Sequence, residues 1–271
     1  MRPLAFDVTP VAKAILAPLP PLPAEAAEER RETVARQPAQ LPRHIAKATG
    51  WTSTLAHEQI HALATHALAR HTEHGMKVVA VTSALAGEGK TTISLALAAK
   101  LAAAGRKVLV VDLDTYRGTL SVEAKLDELP GAIESSGPDA AAPFHVYATD
   151  CAGVHLMPRG RIEEQDGIPV LSPERVQRLA TRALQAFDVV LIDCPPLLPV
   201  ADTHVIGAVA DNAILVIRAN ATPQPILTQA INEFGRDKFF AAVLNRAQPE
   251  RIPYFREVYG YYRRGATKRG R

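Results

Sequence analysis

Lys90 stands in the run Val81-Thr82-Ser83-Ala84-Leu85-Ala86-Gly87-Glu88-Gly89-Lys90-Thr91-Thr92, where an apolar segment turns through two glycines into an alanine-rich stretch. Gly87 and Gly89 let a backbone approach a polyanion with its N–H groups turned inward, and the positive end of a following helix adds to the attraction. A lysine at this spacing reaches β- and γ-phosphates as a point charge, and the Thr91 hydroxyl can ligate magnesium. Gly87, Glu88, Gly89, Lys90, Thr91 and Thr92 are therefore the candidate phosphate-binding residues. Ala84 takes the place where a phosphate loop usually begins with glycine. Two further runs end in acids: Val108-Leu109-Val110-Val111-Asp112-Leu113-Asp114 and Val189-Val190-Leu191-Ile192-Asp193-Cys194-Pro195-Pro196. A carboxylate at such a point holds magnesium or takes a proton. The bland alternative, a helix cap or surface-turn residue, fits a lone aspartate better than two at matching positions.

The elements that would position these groups are legible. Each apolar run reads as a buried parallel strand. The spacing predicts a helix from Thr54 to about Thr72, with Ile60, Leu63, Ala64, Ala67 and Leu68 on one face, then a strand Lys77 to Val81. A helix Lys90 to Ala103 leads through Gly105 to a strand Lys107 to Val111, the parts of a right-handed βαβ crossover. Val154 to Met157 is a short strand. Ser172-Pro173 opens a helix to about Ala186 that feeds a strand Val189 to Ile192. Further on come a strand Ala213 to Ile217, a helix opened by Thr222-Pro223 and a strand Phe240 to Leu244. Residues 118 to 150 carry no clear pattern. The expected fold class is α/β: a doubly wound, mostly parallel sheet with helices on both faces. In such a sheet ligands bind at the carboxyl ends of strands, so Lys90, Asp112 and Asp193 should surround one pocket.

With 271 residues, 47% of them hydrophobic, the chain can bury a sizeable core. Its net charge of +3 is too mild to suggest a nucleic-acid partner. No stretch approaches the roughly 20 apolar residues that cross a bilayer, and no secretory signal opens the chain. Cys151 and Cys194 lack metal-ligand spacing and fit a reducing compartment. A soluble cytoplasmic protein without a transmembrane segment is expected. Three parts are expected: residues 1–50, a Pro-rich disordered arm or linker that does not pack into a core and holds eight of the 21 prolines; 51–250, the nucleotide-binding domain; and 251–271, a Tyr-rich basic tail. Tyr254, Tyr259, Tyr261 and Tyr262, four of the six tyrosines, crowd into that tail.

Ser83 to Thr92, Val108 to Asp114 and Val189 to Pro196 resemble the Walker A, Walker A′ and Walker B motifs of the bacterial tyrosine kinases. These lie within the deviant-Walker, MinD/ParA-like P-loop NTPases. Leu85 stands where the division-site and partition ATPases carry a signature lysine, and Pro199-Val200-Ala201-Asp202 also favours the kinase branch. The resemblance covers about residues 54 to 262. It implies ATP and Mg²⁺ as cofactors, with Lys90, Asp112, Asp114 and Asp193 catalytic. Asp112 would assist deprotonation of an incoming tyrosine, Asp114 and Asp193 would position the metal, and Thr91, Asp112 and Asp193 form the candidate metal set. Asn245 would touch adenine or cap a turn. The four tail tyrosines would be phosphoacceptors, modified in trans by a neighbouring copy.

The resemblance further implies a role in exopolysaccharide or capsular polysaccharide synthesis and export. A membrane-bound chain-length regulator (co-polymerase) would act as activator and place the chain at the inner face of the plasma membrane. A homo-oligomer is implied too, but the family's Glu-x-x-Arg-x-x-Arg contact motif falls on Glu58, His61 and Ala64, and Tyr116 replaces an arginine of Walker A′. A MinD/ParA-like ATPase or nucleotide-binding regulator with little kinase activity is the competing reading. His57-Glu58-Gln59-Ile60-His61 matches the zinc-protease pattern, but Ala67 stands at the third-ligand position, and the helix reads as a histidine-rich surface.

Overall fold

Alternate residues of a strand point to opposite sides of its sheet, so a strand apolar at every position needs cover on both faces. Strands β2 (Val78–Ser83), β3 (Val108–Asp112) and β6 (Val189–Asp193) are buried at every position. Val79, Val81, Val108, Val110 and Leu191 pack with Ile60, Leu63, Ala64 and Ala67 of α1 (Thr54–His74) and with Ile93, Leu97 and Leu101 of α2 (Lys90–Ala103). The alternate set, Val78, Ala80, Leu109, Val111, Val190 and Ile192, packs with Val176, Leu179 and Ala183 of α5 (Pro173–Ala183) and Ile206 of α6 (Asp202–Val209). Helices therefore cover both faces, as a doubly wound α/β sheet requires.

The computed structural model describes residues 34–39, 54–139, 141–162, 171–198 and 200–248. The remaining elements are β1 (Val34–Ala39), the short helices α3 (Thr119–Glu123) and α4 (Ala132–Ser135), β4 (Val146–Thr149), β5 (Val154–Met157), β7 (Asn212–Arg218), α7 (Gln224–Phe234) and β8 (Phe239–Asn245). The strand order is β1-β4-β5-β3-β6-β2-β7-β8, and every neighbouring pair is parallel except β4 with β5. The chain leaves β2 through α2 toward β3, whereas β6 leads through α6 to β7 on the other side. That reversal is the topological switch point at which open α/β sheets bind ligands.

Two features depart from the expectation. Residues 34–39 fall in the segment expected to be an unpacked arm, yet they pair with β4 as an edge strand. The pairing slips between Ala35 and Ala39, a span that contains Pro38. An edge strand tolerates a proline because one side of its backbone has no partner to satisfy. The second is β4, in the stretch that showed no pattern. It returns antiparallel to β5 through a turn in which Cys151 N donates to Thr149 Oγ1 at 3.1 Å and Gly153 adopts φ 85°. By contrast, α5 begins as expected, with Ser172 Oγ accepting from Arg175 N at 3.4 Å and Pro173 in the first turn.

Candidate active site

The loop from β2 to α2 is shaped for an anion. Leu85, Ala86 and Gly87 form its exposed tip, and Lys90 and Thr91 are buried at its base. Gly87 and Gly89 have φ of 78° and 101°, the left-handed region that glycine enters without strain. Gly89 caps α2 with no side chain on the helix's first amides, so these donors face the loop. Ala84 is fully buried, packing with Leu197, Leu215 and Ala230, and is not among the positive-φ residues. Glycine at that point is therefore not required by backbone conformation.

Strand register brings the acids to the same edge. Asp112 pairs with Asp193, and Asp193 also lies beside Val81, two residues before the end of β2. Thr91 Oγ1 donates to Asp193 Oδ2 at 2.6 Å, and Ser94 Oγ lies 3.4 Å from Asp193 Oδ1. Asp112 Oδ2 accepts from Ser121 Oγ at 2.7 Å and Ser121 N at 2.9 Å, while Asp114 N reaches Asp112 Oδ1 at 3.1 Å. Asp114 Oδ1 accepts from Arg117 N at 3.0 Å. Lys90, Thr91, Asp112, Asp114 and Asp193 thus gather where the sequence placed them. An apolar groove of about 480 Å³ between α7 and β8 holds none of these groups.

These oxygens suit a hard cation. Among the described residues no three His, Cys, Asp or Glu side chains close around one point to hold a metal unaided. A cation beside Asp193 would complete its shell from the Thr91 hydroxyl, water and phosphate, the arrangement Mg²⁺ favours.

Burial dominates the electrostatics. It pushes the Asp112 carboxyl from 3.8 up to about 6, against the hydrogen bonds from Ser121. Burial, reinforced by the charge of Asp112, pushes Asp193 from 3.8 up to about 7, against Thr91 and the Lys90 ammonium. Both groups bind protons more tightly folded than unfolded. Between pH 3.8 and about 7 the native state holds the extra protons, so unfolding free energy falls as pH rises through that window. His145 and His155, held below the usual histidine range chiefly by burial, act in the opposite sense. Chemical denaturation of nucleotide-free protein at pH 5 and pH 8 should therefore show a smaller acid-side advantage for Asp193→Asn than for wild type. Equal pH dependence in the two proteins would contradict this account of Asp193. A cation held by these carboxylates would need them ionised, so its affinity for the site would rise over the same interval.

Other expected site residues lie differently. The buried Glu88 carboxylate turns away from the phosphate side: it accepts from Leu85 N at 3.1 Å and from Thr222 Oγ1, with Arg218 N at 3.5 Å. It braces the loop against the end of β7. Asn245 Nδ2 donates to Glu88 O at 2.8 Å, and its Oδ1 accepts from Arg246 N at 2.9 Å. One amide N–H and one lone pair of Asn245 remain for contact with a base. Thr92 is half-buried at the start of α2. In α1, His57 Nε2 accepts from Lys100 Nζ of α2 at 2.6 Å, and Ala64 belongs to the core. The four tail tyrosines lie outside the described residues, as do residues 1–33 of the arm. Sequence reading missed Ser94 and Ser121. Ser94 follows Thr91 by three positions on one helix face, a detectable signal; Ser121 carried none.

A family model described as the CobQ/CobB/MinD/ParA nucleotide binding domain matches residues 79–252. The chain belongs to this family. The match begins in β2 and takes in β3 and β6. Over 211 residues the chain is 29% identical to the tyrosine-protein kinase YwqD of Bacillus subtilis, covering 77% of this chain and 87% of YwqD. It is 25% identical over 188 residues to the succinoglycan biosynthesis transport protein ExoP of Rhizobium meliloti, covering 68% of this chain but 24% of ExoP. Among solved structures, the VpsO kinase domain superposes with a TM-score of 0.57 at 26% identity, covering 72% of this chain and 97% of that domain. Among the described residues no helix is long and apolar enough to cross a membrane.

Proposed function

We propose that the chain is an ATP- and Mg²⁺-dependent protein-tyrosine autokinase that phosphorylates Tyr254, Tyr259, Tyr261 and Tyr262 of a neighbouring copy. The observation that carries this reading is the meeting of Lys90, Thr91, Asp112 and Asp193 at one sheet edge, in a chain similar to the kinase YwqD over most of both lengths. Phosphoryl transfer asks mainly for positioning and charge neutralisation. The N–H groups at the start of α2 and the Lys90 ammonium hold the triphosphate. Thr91 and Asp193 would hold Mg²⁺, which would supply charge neutralisation on the phosphates. Asp112 receives the phenol proton as the tyrosine oxygen bonds to the γ-phosphorus and ADP leaves with the electron pair of the broken bond. Its carboxyl, raised to about 6 by burial, is ionised yet basic near neutral pH.

The name of ExoP supports a setting in exopolysaccharide or capsular polysaccharide synthesis and export. There a membrane-bound chain-length regulator would activate the chain and hold it at the inner face of the plasma membrane. A nucleotide-dependent regulator with little kinase activity is the second reading. It is favoured by the exposed Tyr116 in place of the Walker A′ arginine and by Ala64, whose burial in the core leaves that helix position no side chain for a subunit contact. Mass-spectrometric mapping after incubation with ATP and Mg²⁺ separates the two. Phosphotyrosine within 254–262, lost when the four tyrosines become phenylalanine, supports the kinase; ATP turnover with unmodified tyrosines supports the regulator.

A further inference from the structure

Ser121 is fully buried, and both of its donors serve one carboxylate oxygen. Its backbone N–H and its hydroxyl both donate to Oδ2 of Asp112, at 2.9 and 2.7 Å. The same hydroxyl oxygen accepts from Arg159 N at 2.9 Å. A serine hydroxyl has one proton to give, and with Arg159 N–H on its lone pair that proton stays directed at Asp112. Two short donors saturate Oδ2. Oδ1 receives only the longer bond from Asp114 N at 3.1 Å and keeps a lone pair free.

The supports extend outward. Pro158 O and Arg159 O accept from Ala132 N and Ile133 N of α4 at 2.8 and 2.9 Å. Arg175 of α5 holds α4 in turn, with Nη2 donating to Ile133 O at 2.9 Å and Nε to Ser136 Oγ at 3.1 Å. Gly118, just before α3, has φ 53°, and a Cβ there would meet the Arg159 side chain at 2.6 Å. The α3 turn and the segment after β5 therefore close on each other around Ser121.

We propose that Ser121 is a positioning residue for phosphoryl transfer: by saturating one oxygen of Asp112 it fixes the carboxylate plane and leaves Oδ1 as the oxygen presented to the acceptor hydroxyl. The proposal rests on the tyrosine-transfer reading above and deepens it. Ser121 touches no substrate; it acts through Asp112. Removal of its hydroxyl frees the carboxylate to rotate, which lowers turnover without removing any group that grips the nucleotide.

The test compares full-length wild type, Ser121→Ala and Ser121→Thr. Ser121→Ala is smaller than serine and keeps the backbone donor, so it is expected to fold; thermal melts check each protein. For Ser121→Ala, kcat for phosphotyrosine formation should drop about 10- to 100-fold. KM for ATP and the dissociation constant of a fluorescent ADP analogue with Mg²⁺ should stay within about threefold, because ground-state binding is untouched. Ser121→Thr, which restores a hydroxyl, should recover most of kcat. Unchanged kcat in folded Ser121→Ala overturns the proposal, as does equal loss of kcat and nucleotide affinity. Wild type that hydrolyses ATP without labelling tyrosine overturns the kinase reading instead. The role of Ser121 is then read from kcat for hydrolysis, where the same drop is expected and its absence is again decisive.

Discussion

Lys90→Met should lower phosphotransfer by on the order of 10³-fold, the scale set by losing a cation that stabilises a transferring phosphoryl group. Lys90 is buried at the base of the loop, and methionine has a similar length and an apolar stem, so the fold should survive. Two effects act together in this variant. The triphosphate loses its point charge, and Asp193 loses the ammonium that opposes the upward pull of burial on its carboxyl. Asp193 then ionises at higher pH, which weakens magnesium binding as well. Nucleotide titrations beside transfer assays should show both losses, with a melting temperature near that of wild type. Full phosphotransfer in Lys90→Met would remove the loop from the mechanism.

Asp112→Asn should cost about 10² to 10⁴ in kcat, the usual span for removal of a general base. All three of its hydrogen-bond partners are donors: Ser121 N, Ser121 Oγ and Asp114 N. An asparagine can satisfy the two from Ser121 with its oxygen, but its NH₂ then faces the Asp114 N–H. That mismatch destabilises, while removal of a buried ionisable carboxyl stabilises, so the net change in stability should be small. The informative quantity is the split between kcat and affinity. A fall in kcat with Mg²⁺-nucleotide affinity kept within a few fold assigns Asp112 to the acceptor's proton. A parallel collapse of affinity assigns it to the metal.

What the sequence disclosed follows a physical rule. Strands β2, β3 and β6 were legible because burial on both faces selects an unbroken apolar run at the start of each. The carboxyl ends of β3 and β6 were legible because an acid that ends such a run interrupts it abruptly. Convergence of Lys90, Asp112 and Asp193 then followed from sheet topology alone. Contacts made by tertiary placement left no such mark. Ser121 lies in a five-residue helix whose register on Asp112 depends on Gly118 turning the chain at φ 53°. Glu88 was expected at the phosphate because it sits between the loop glycines; its carboxylate instead meets Thr222 and Arg218, more than 100 residues away in sequence, as the separations of 134 and 130 show. Thr222, expected to help open a helix, spends its hydroxyl on that contact, and α7 starts at Gln224. Strand β4 was missed because four residues are too few to display a period. Its place is set by pairing with β5 and by the Tyr147 hydroxyl, which donates to Pro130 O at 3.0 Å.

The destination of the γ-phosphate decides the matter. In a single turnover with γ-labelled ATP and Mg²⁺, the site described above should send label to tyrosine within residues 254–262, with ADP appearing at the same rate and in equal amount. Release of the label wholly as inorganic phosphate, with every tyrosine unmodified, would contradict it.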